Sequence, residues 1–234
     1  MITLPTREVR VATPRARIVR LDLDGATFDY QPGQAVLVGT HGGGARRPYS
    51  IAGSPDESRR EHILELLVGV DAAGSAGAHL ALGAGELVDV EGPLGSFTFP
   101  AAPEERRFLF IAGGTGIAPL RAMLHHALTI PREGIGVFYS ARTPDEFAYQ
   151  DELKALAASG RIEFQQTVTR TADDAWQGPR GRIDRAELQR MIHDPATLCF
   201  VCGPPSLVAE MPALLADLGV ERRRIRLEEW AARP

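Results

Sequence analysis

The segment Gly113-Gly114-Thr115-Gly116-Ile117-Ala118-Pro119 decides the fold of the second half of the chain. It follows the apolar run from Phe108 to Ala112, which is typical of a buried strand, and its apolar end predicts the start of a helix. Glycines permit positive φ angles and a close approach of the backbone, and a helix N-terminus attracts anions. The segment therefore predicts a strand–turn–helix unit of a parallel sheet that receives a pyrophosphate. The residues that we expect to hold it are Gly113, Gly114, Thr115, Gly116 and Pro119.

A second motif, Arg47-Pro48-Tyr49-Ser50, stands earlier in the chain and combines a cation, an aromatic ring and a hydroxyl. A guanidinium pairs well with a phosphate, and an aromatic ring stacks on flat heteroaromatic systems. The motif therefore suits a flavin, whereas the glycine-rich turn suits a pyridine dinucleotide. Together the two sites predict a protein that moves a hydride between a nicotinamide and a flavin. Alone, the motif is also compatible with a barrel strand that has a core tyrosine and a surface arginine.

The residues before the glycine-rich turn form short apolar or alternating runs, separated by turn clusters such as Gln31-Pro32-Gly33-Gln34. This spacing predicts an antiparallel β-barrel. The predicted strands are Val9–Thr13, Arg17–Leu23, Ala35–Gly39, Tyr49–Ala52, Ile63–Val70 and Leu87–Glu91. Residues Ala76–Leu82 predict a short helix inside this half.

After Arg106 the pattern changes to alternating strands and helices, which predicts a parallel sheet with helices on both faces. The predicted strands are Arg107–Ala112, Ile135–Ser140, Arg161–Val168, Thr197–Cys202 and Arg224–Glu228. The predicted helices are Ile117–Leu128, Asp145–Ala158, Arg185–Ile192 and Pro205–Leu218. We expect a flavin-binding β-barrel domain over 1–103, a nucleotide-binding α/β domain over 104–234, and the site in the cleft between them.

Composition argues against several classes of function. The chain has 234 residues, 44% of them hydrophobic, which suffices for one large or two small globular domains. Its formal net charge of -4 argues against nucleic-acid binding, which needs a concentrated basic surface. No run approaches the roughly 20 apolar residues that span a bilayer, so we expect a cytoplasmic protein without membrane insertion.

The two cysteines argue against a metal centre. An iron–sulfur cluster needs four cysteine ligands, or two with two histidines, whereas the chain offers only Cys199 and Cys202. Both lie on a predicted strand, where side chains three apart point to opposite faces. No spacing among the histidines indicates a metal site, and we expect none.

Five segments in a fixed order resemble the ferredoxin–NADP reductase superfamily of flavin-dependent reductases, over nearly the whole chain. They are Tyr30-Gln31-Pro32-Gly33-Gln34, Arg47-Pro48-Tyr49-Ser50, Gly92-Pro93-Leu94-Gly95-Ser96-Phe97, the glycine-rich turn and Cys202-Gly203-Pro204. The resemblance implies FAD as cofactor and NADH or NADPH as co-substrate. It assigns Arg47 and Pro48 to flavin binding, with the guanidinium on the phosphate. It further implies that Tyr49 stacks on the isoalloxazine and that Ser50 hydrogen-bonds near its N5 atom.

The second half of the flavin site should lie between residues 67 and 82, including Val68. In the family a Gly-x-x-Ser or Gly-x-x-Thr element holds the phosphate. The matching stretch here is Gly74-Ser75-Ala76-Gly77, so Gly77 takes the position of the hydroxyl residue. Either Ser75 substitutes through a shifted turn or the backbone alone binds. We expect FAD rather than FMN because FAD is commoner in this superfamily.

The stretch after the second strand of the α/β domain should bind the ribose of the dinucleotide. Arg142 could pair with a 2′-phosphate and favour NADPH. Asp145 and Glu146 would repel that phosphate and favour NADH, although helix N-termini attract acidic residues for dipole reasons alone. These residues favour NADH only slightly and leave the choice of nucleotide open.

In the family, the cysteine of Cys202-Gly203-Pro204 lies near the nicotinamide C4 atom, and an acidic and an aromatic residue near the C-terminus complete the site. The resemblance therefore assigns Glu228 to the flavin–nicotinamide contact and Trp230 to the exposed flavin face. A small buried thiol and a solvated tail are the alternatives. The implied acceptors are a ferredoxin, a flavodoxin, an oxygenase component or a small oxidant. A component of a larger redox complex and a non-enzymatic flavin or nucleotide sensor are the competing hypotheses.

Overall fold

An antiparallel sheet of six strands forms the first half of the computed structural model, which describes residues 1–170 and 175–229. The strand order is β4-β3-β6-β1-β2-β5. The strands are β1 (Ile2–Thr13), β2 (Ala16–Asp22), β3 (Ala35–Thr40), β4 (Arg47–Ser50), β5 (Ile63–Gly69) and β6 (Leu87–Leu94). A bridge between Ile51 and Leu66 joins the chain after β4 to β5, so the sheet closes into a barrel.

A parallel sheet of five strands forms the second half, in the order β11-β10-β7-β8-β9. Its strands are β7 (Arg107–Gly113), β8 (Gly134–Ala141), β9 (Glu163–Val168), β10 (Leu198–Gly203) and β11 (Ile225–Glu229). The helices are α1 (Pro55–Glu61) in the barrel half, then α2 (Ile117–Ala127), α3 (Gln150–Ala158), α4 (Arg185–Met191) and α5 (Pro205–Asp217). The predicted fold class, a barrel followed by a parallel α/β sheet, is confirmed.

Alternation along β7 explains why helices cover both faces of this sheet. Phe108 and Phe110 face one side, where α2 and α3 pack, whereas Leu109 and Ile111 face the other, where α4 and α5 pack. Successive side chains of a strand point to opposite faces, so an all-apolar strand needs two covering layers. The sheet is therefore the middle layer of the second half.

The barrel and the α/β sheet share a hydrophobic core. Phe97 and Phe99, which follow β6, lie in one buried cluster with Phe110 and Phe200 of the parallel sheet. The rings of Phe99 and Phe200 stack with centroids 5.4 Å apart. This continuous packing fixes how the two halves meet along the cleft. The division of the chain at 103/104 stays a prediction.

Two predicted helices are wrong in whole or in part. Residues 76–82 form no helix, because Gly77 has a φ of +100° while Ala76 and Leu80 are anchored in the barrel core. The helix predicted from Asp145 begins at Gln150 instead, because Tyr149 adopts a φ of 58°. Helix α1 was not predicted. Within the described ranges, no helix has both the length and the apolar character needed to cross a bilayer.

Candidate flavin and dinucleotide site

Strand β4 carries the Arg47–Ser50 motif at the edge of the barrel sheet. Arg47 and Pro48 are exposed, Tyr49 is half-buried, and Ser50 is only 3% exposed. The Ser50 hydroxyl has no hydrogen-bond partner among the residues that the structure describes. A buried hydroxyl without a partner costs about 1–3 kcal/mol, so its presence indicates that a ligand supplies the partner.

The Gly74–Gly77 loop is built by short-range hydrogen bonds. The Asp71 carboxylate accepts the N–H groups of Ala73 and Ser75, both at 2.9 Å. The Ser75 hydroxyl oxygen accepts the N–H of Gly77 at 3.0 Å. Both glycines of the loop have positive φ angles, which favour glycine over residues with a side chain. The loop therefore has a defined shape before any ligand binds.

His79, which follows this loop, contacts the flavin motif directly. Its Nε2 atom lies 2.6 Å from the Tyr49 hydroxyl, and the two rings are nearly parallel with centroids 6.0 Å apart. A Cβ atom placed on Gly77 would lie 4.0 Å from Nη1 of Arg47. The loop and the motif thus come together at one point. Val68 lies apart from them: its side chain is fully buried in the barrel core, while the neighbouring Leu67 and Gly69 line the cleft.

The glycine-rich turn forms a short 3₁₀ turn, Gly114–Gly116, that leads directly into α2. Gly116 has to be glycine, because a Cβ atom there would lie 2.3 Å from the carbonyl oxygen of Cys202. Tyr139 of β8 is fully buried, and its phenol donates to the Gly114 carbonyl at 2.9 Å. This hydrogen bond anchors the turn to the sheet. Pro119 is buried in the first turn of α2 rather than in the cleft wall.

Cys202 and Glu228 are brought together by the register of β10 and β11, which pairs these two residues. The Cys202 thiol donates to Oε2 of Glu228 at 3.6 Å, and Cys202 is fully buried. The next residues, Gly203 and Pro204, line the cleft. Trp230, the remaining predicted site residue, lies outside the residues that the structure describes.

A cleft of about 640 Å³ runs between the barrel and the carboxyl edge of the parallel sheet. The β1–β2 turn with the adjoining strand ends and residues of β5 form one wall. The glycine-rich turn and the ends of β8 and β10 form the other. The charged side chains in its lining are Arg15, Arg142, Glu146, Arg170, Arg182 and Glu210. The cleft therefore carries a net positive lining at the place where phosphates are expected.

Both halves of the chain match known domain families. The oxidoreductase FAD-binding domain matches residues 5–99, and the oxidoreductase NAD-binding domain matches residues 110–212. Ferredoxin–NADP reductase B of Sorangium cellulosum is 34% identical over 235 residues, which cover 95% of this chain and 94% of that protein. This chain belongs to the ferredoxin–NADP reductase superfamily.

Two further relatives of this reductase are larger proteins. The cytochrome P450 reductase GcoB of Amycolatopsis has a TM-score of 0.82 at 26% identity, with coverage of 97% of this chain and 68% of that one. The flavohemoprotein of Bordetella pertussis is 31% identical over 221 residues, which cover 87% of this chain and 54% of that protein. The matched families make this reductase an FAD-binding, NAD(P)H-dependent oxidoreductase.

The residues of this reductase fit the flavin that its family binds. The unpartnered Ser50 hydroxyl offers a hydrogen bond to the ring, and Arg47 offers a cation beside the Gly74–Gly77 loop. Among the described residues, no cluster of three or more metal-ligating side chains occurs.

Sequence reasoning missed a buried cluster of charges between the two halves of the reductase. Arg121 of α2 is 8% exposed and reaches across to the barrel. Its guanidinium donates to the Ala52 carbonyl at 2.9 Å, to Glu57 of α1 at 3.2 Å and to Glu152 of α3 at 2.9 Å. Ala52 lies two residues after Ser50, so the cluster ties the end of the flavin motif to the α/β domain.

The other members of this cluster are Tyr149, Glu65 and His125. The guanidinium carbon of Arg121 lies 4.8 Å from the centre of the Tyr149 ring, and the Tyr149 phenol donates to Glu65 at 3.1 Å. Burial by itself would raise the pKa of Glu152. The hydrogen bond from His125 and the charge of Arg121 outweigh burial and lower that pKa to about 2. Glu152 is therefore ionised at neutral pH.

Proposed function

We propose that this reductase takes a hydride from NADPH onto FAD and passes the electrons to a separate ferredoxin-type carrier. The observation that carries the proposal is the cleft, in which the glycine-rich turn faces barrel residues of β2 and β5. The same barrel carries the flavin motif on β4, where the Ser50 hydroxyl has no partner among the described residues. The chain matches a ferredoxin–NADP reductase over nearly its whole length, which supports a ferredoxin as acceptor. A cytoplasmic location stays a prediction.

The proposed roles of the residues follow from their placement. FAD, when bound, would supply the hydride acceptor and the one-electron chemistry that a ferredoxin-type carrier needs. Tyr49 and Ser50 hold the isoalloxazine, and the glycine-rich turn holds the dinucleotide through backbone N–H groups. Cys202 and Glu228 shape the point of transfer. The protein contributes proximity and orientation, and no side chain has to act as an acid or base on a difficult substrate.

The arginines of the cleft support NADPH over NADH as the electron donor. The N–H of Arg170 donates to the Arg142 carbonyl at 2.8 Å, which brings the ends of β8 and β9 together. Neither arginine has a side-chain ion pair with the residues of 1–170 and 175–229. Of the two acidic residues considered in the sequence, Glu146 lines the cleft, whereas Asp145 is exposed and accepts a hydrogen bond from Thr143. Both arginines line the cleft, and guanidinium groups there suit a 2′-phosphate.

Replacing Arg142 tests the donor and the reaction together. In Arg142→Ala, kcat/KM for NADPH should fall about 10- to 100-fold with ferredoxin as acceptor, because a charged hydrogen bond contributes about 1.5–3 kcal/mol. The value for NADH should change less than about threefold, since NADH lacks the 2′-phosphate. Arg161→Ala, an exposed arginine just before β9, is the matched control and should change neither value. A wild-type preference for NADH would contradict the donor assignment, and no turnover with either nucleotide would favour the sensor hypothesis.

A further inference from the structure

His79 stands where this chain departs from the phosphate-binding element of its family. The position of the family's hydroxyl residue is Gly77, whose φ of +100° disfavours serine or threonine. A Cβ atom on Gly77 would lie 3.4 Å from Nδ1 of His79, so the imidazole occupies the space beside the missing side chain. The Ser75 hydroxyl oxygen accepts the Gly77 N–H, which fixes this side chain at the base of the loop while its O–H remains a donor. At position 77 the loop therefore has no side-chain donor, and an imidazole lies next to that position.

The His79 ring is held firmly and is 6% exposed. Its backbone carbonyl accepts the N–H of Thr40 in β3 at 2.8 Å, and its Nε2 atom meets the Tyr49 hydroxyl. Its Nδ1 atom, by contrast, has no hydrogen-bond partner in the described part of the chain. This atom lies on the side of Gly77 and of the Arg47 guanidinium. An unpaired buried ring nitrogen beside an arginine indicates an anionic ligand.

The tautomer of His79 follows from its neighbours. Burial raises the pKa of Tyr49 to about 12, so the phenol keeps its proton at neutral pH. Burial and the nearby Arg47 lower the pKa of His79, so the imidazole is neutral in the absence of an anion. The phenol then donates to Nε2, and the single ring proton resides on Nδ1.

We propose that Nδ1–H of His79 donates a hydrogen bond to the phosphate of bound FAD, in the role that a hydroxyl has elsewhere in the family. Arg47 contributes charge to the same phosphate, and Tyr49 sets the orientation of the donor. The inference rests on FAD binding by this chain and adds the residue that compensates for Gly77. The alternative role for His79 is to position Tyr49 without contacting the phosphate.

Three substitutions of His79 separate these roles in the full-length chain. His79→Phe keeps an aromatic ring but has no donor. His79→Asn places an amide nitrogen near the Nδ1 position and keeps the donor. His79→Gln places it near the Nε2 position and keeps only the Tyr49 contact. Each variant is titrated with FAD, FMN and riboflavin, and binding is followed by quenching of flavin fluorescence.

The phosphate contact predicts a pattern across the three flavins. His79→Phe and His79→Gln should bind FAD and FMN about 10- to 100-fold more weakly, as expected for a lost charge-assisted hydrogen bond. Riboflavin, which has no phosphate, should bind all variants within about threefold of the wild type. His79→Asn should retain FAD affinity within a few-fold. An equal loss for riboflavin, or undiminished FAD binding by His79→Phe, would overturn the proposal, whereas a wild-type chain that binds no FAD would instead refute the function.

A measurement on the unsubstituted protein keeps the proposal testable if a variant fails to fold. A long-range proton–nitrogen NMR spectrum of the FAD-loaded wild-type protein should show the His79 proton on Nδ1. A proton on Nε2 with a bare Nδ1 would contradict the donor role.

Discussion

Buried polar atoms that have no hydrogen-bond partner indicate where this reductase binds its ligand. Ser50 and His79 are both more than nine-tenths buried, and each has a polar atom without a partner in the described part of the chain. Proteins tolerate such atoms where a ligand satisfies them. Because one of them belongs to the Arg47–Ser50 motif and the other contacts Tyr49 of that motif, these two atoms indicate the flavin site.

Removing the Ser50 hydroxyl should slow flavin reduction without lowering the stability of the fold. Ser50→Ala should leave the free energy of unfolding of the flavin-free chain unchanged or raise it by up to about 1 kcal/mol, because an unpaired buried hydroxyl is lost. Flavin reduction by NADPH should slow by about tenfold, since a hydrogen bond of about 1–1.5 kcal/mol to the ring is absent.

The control for this prediction is Ser54→Ala. Ser54 is equally buried but caps α1, where its hydroxyl accepts the N–H of Glu57 at 3.2 Å. Its loss should cost about 0.5–2 kcal/mol of stability and leave the reduction rate unchanged. Denaturant titration and stopped-flow absorbance measure the two quantities. A Ser50→Ala protein that is markedly less stable, or reduced at the wild-type rate, would refute the role of this hydroxyl.

Residues with a distinctive local pattern could be predicted from the sequence, and residues defined by distant partners could not. The Arg47–Ser50 motif and the glycine-rich turn are contiguous, so they can be read directly. His79, Tyr139 and Arg121 act through contacts made across the fold, such as the bond from Tyr139 to Gly114. Nothing in their immediate sequence marks them.

At the scale of elements, local signals predicted the α/β half well and the barrel half less completely. Helix α1 has a readable signal, because Ser54-Pro55-Asp56-Glu57 is a capping box with proline at the first helical position. Strand β1 begins at Ile2, well before the predicted Val9, because its first residues pair with β6. Their alternation is too weak to show a strand without that partner.

The charge cluster around Arg121 joins α1, α2 and α3, and it should be strongly stabilising as a unit. In Arg121→Met, Glu57 and Glu152 lose their shared cation, so the free energy of unfolding should fall by about 3–5 kcal/mol. Denaturation at saturating FAD, followed by circular dichroism and flavin fluorescence together, measures the loss. Arg121→Lys should recover part of it, because lysine keeps the charge but not the bidentate geometry.

A matched control for this cluster is Arg59→Met on the barrel surface. Arg59 pairs with Asp56, and the side chains of both are more than half exposed. Exposed pairs of this kind contribute about 0–1 kcal/mol, so the variant should be nearly as stable as the wild type. Equal losses in Arg121→Met and Arg59→Met would show that the buried cluster has no special role.

The whole molecule is a barrel and a parallel sheet held in one arrangement by a shared aromatic core and a buried charge cluster. The sequence predicted both halves and the cleft between them, because strand periodicity and strand–helix alternation are local properties. It did not predict the contacts that join the two halves, because they are made between residues distant in sequence. Phe99 against Phe200 and Arg121 against Ala52 are two examples.

The most direct test of the central claim is anaerobic stopped-flow mixing of the FAD-loaded protein with NADPH, followed by mixing with oxidised ferredoxin. The account predicts rapid bleaching of the flavin absorbance by NADPH, slower bleaching by equal concentrations of NADH, and recovery of the absorbance as ferredoxin is reduced. A flavin-loaded protein that neither nucleotide bleaches would contradict hydride transfer through this cleft.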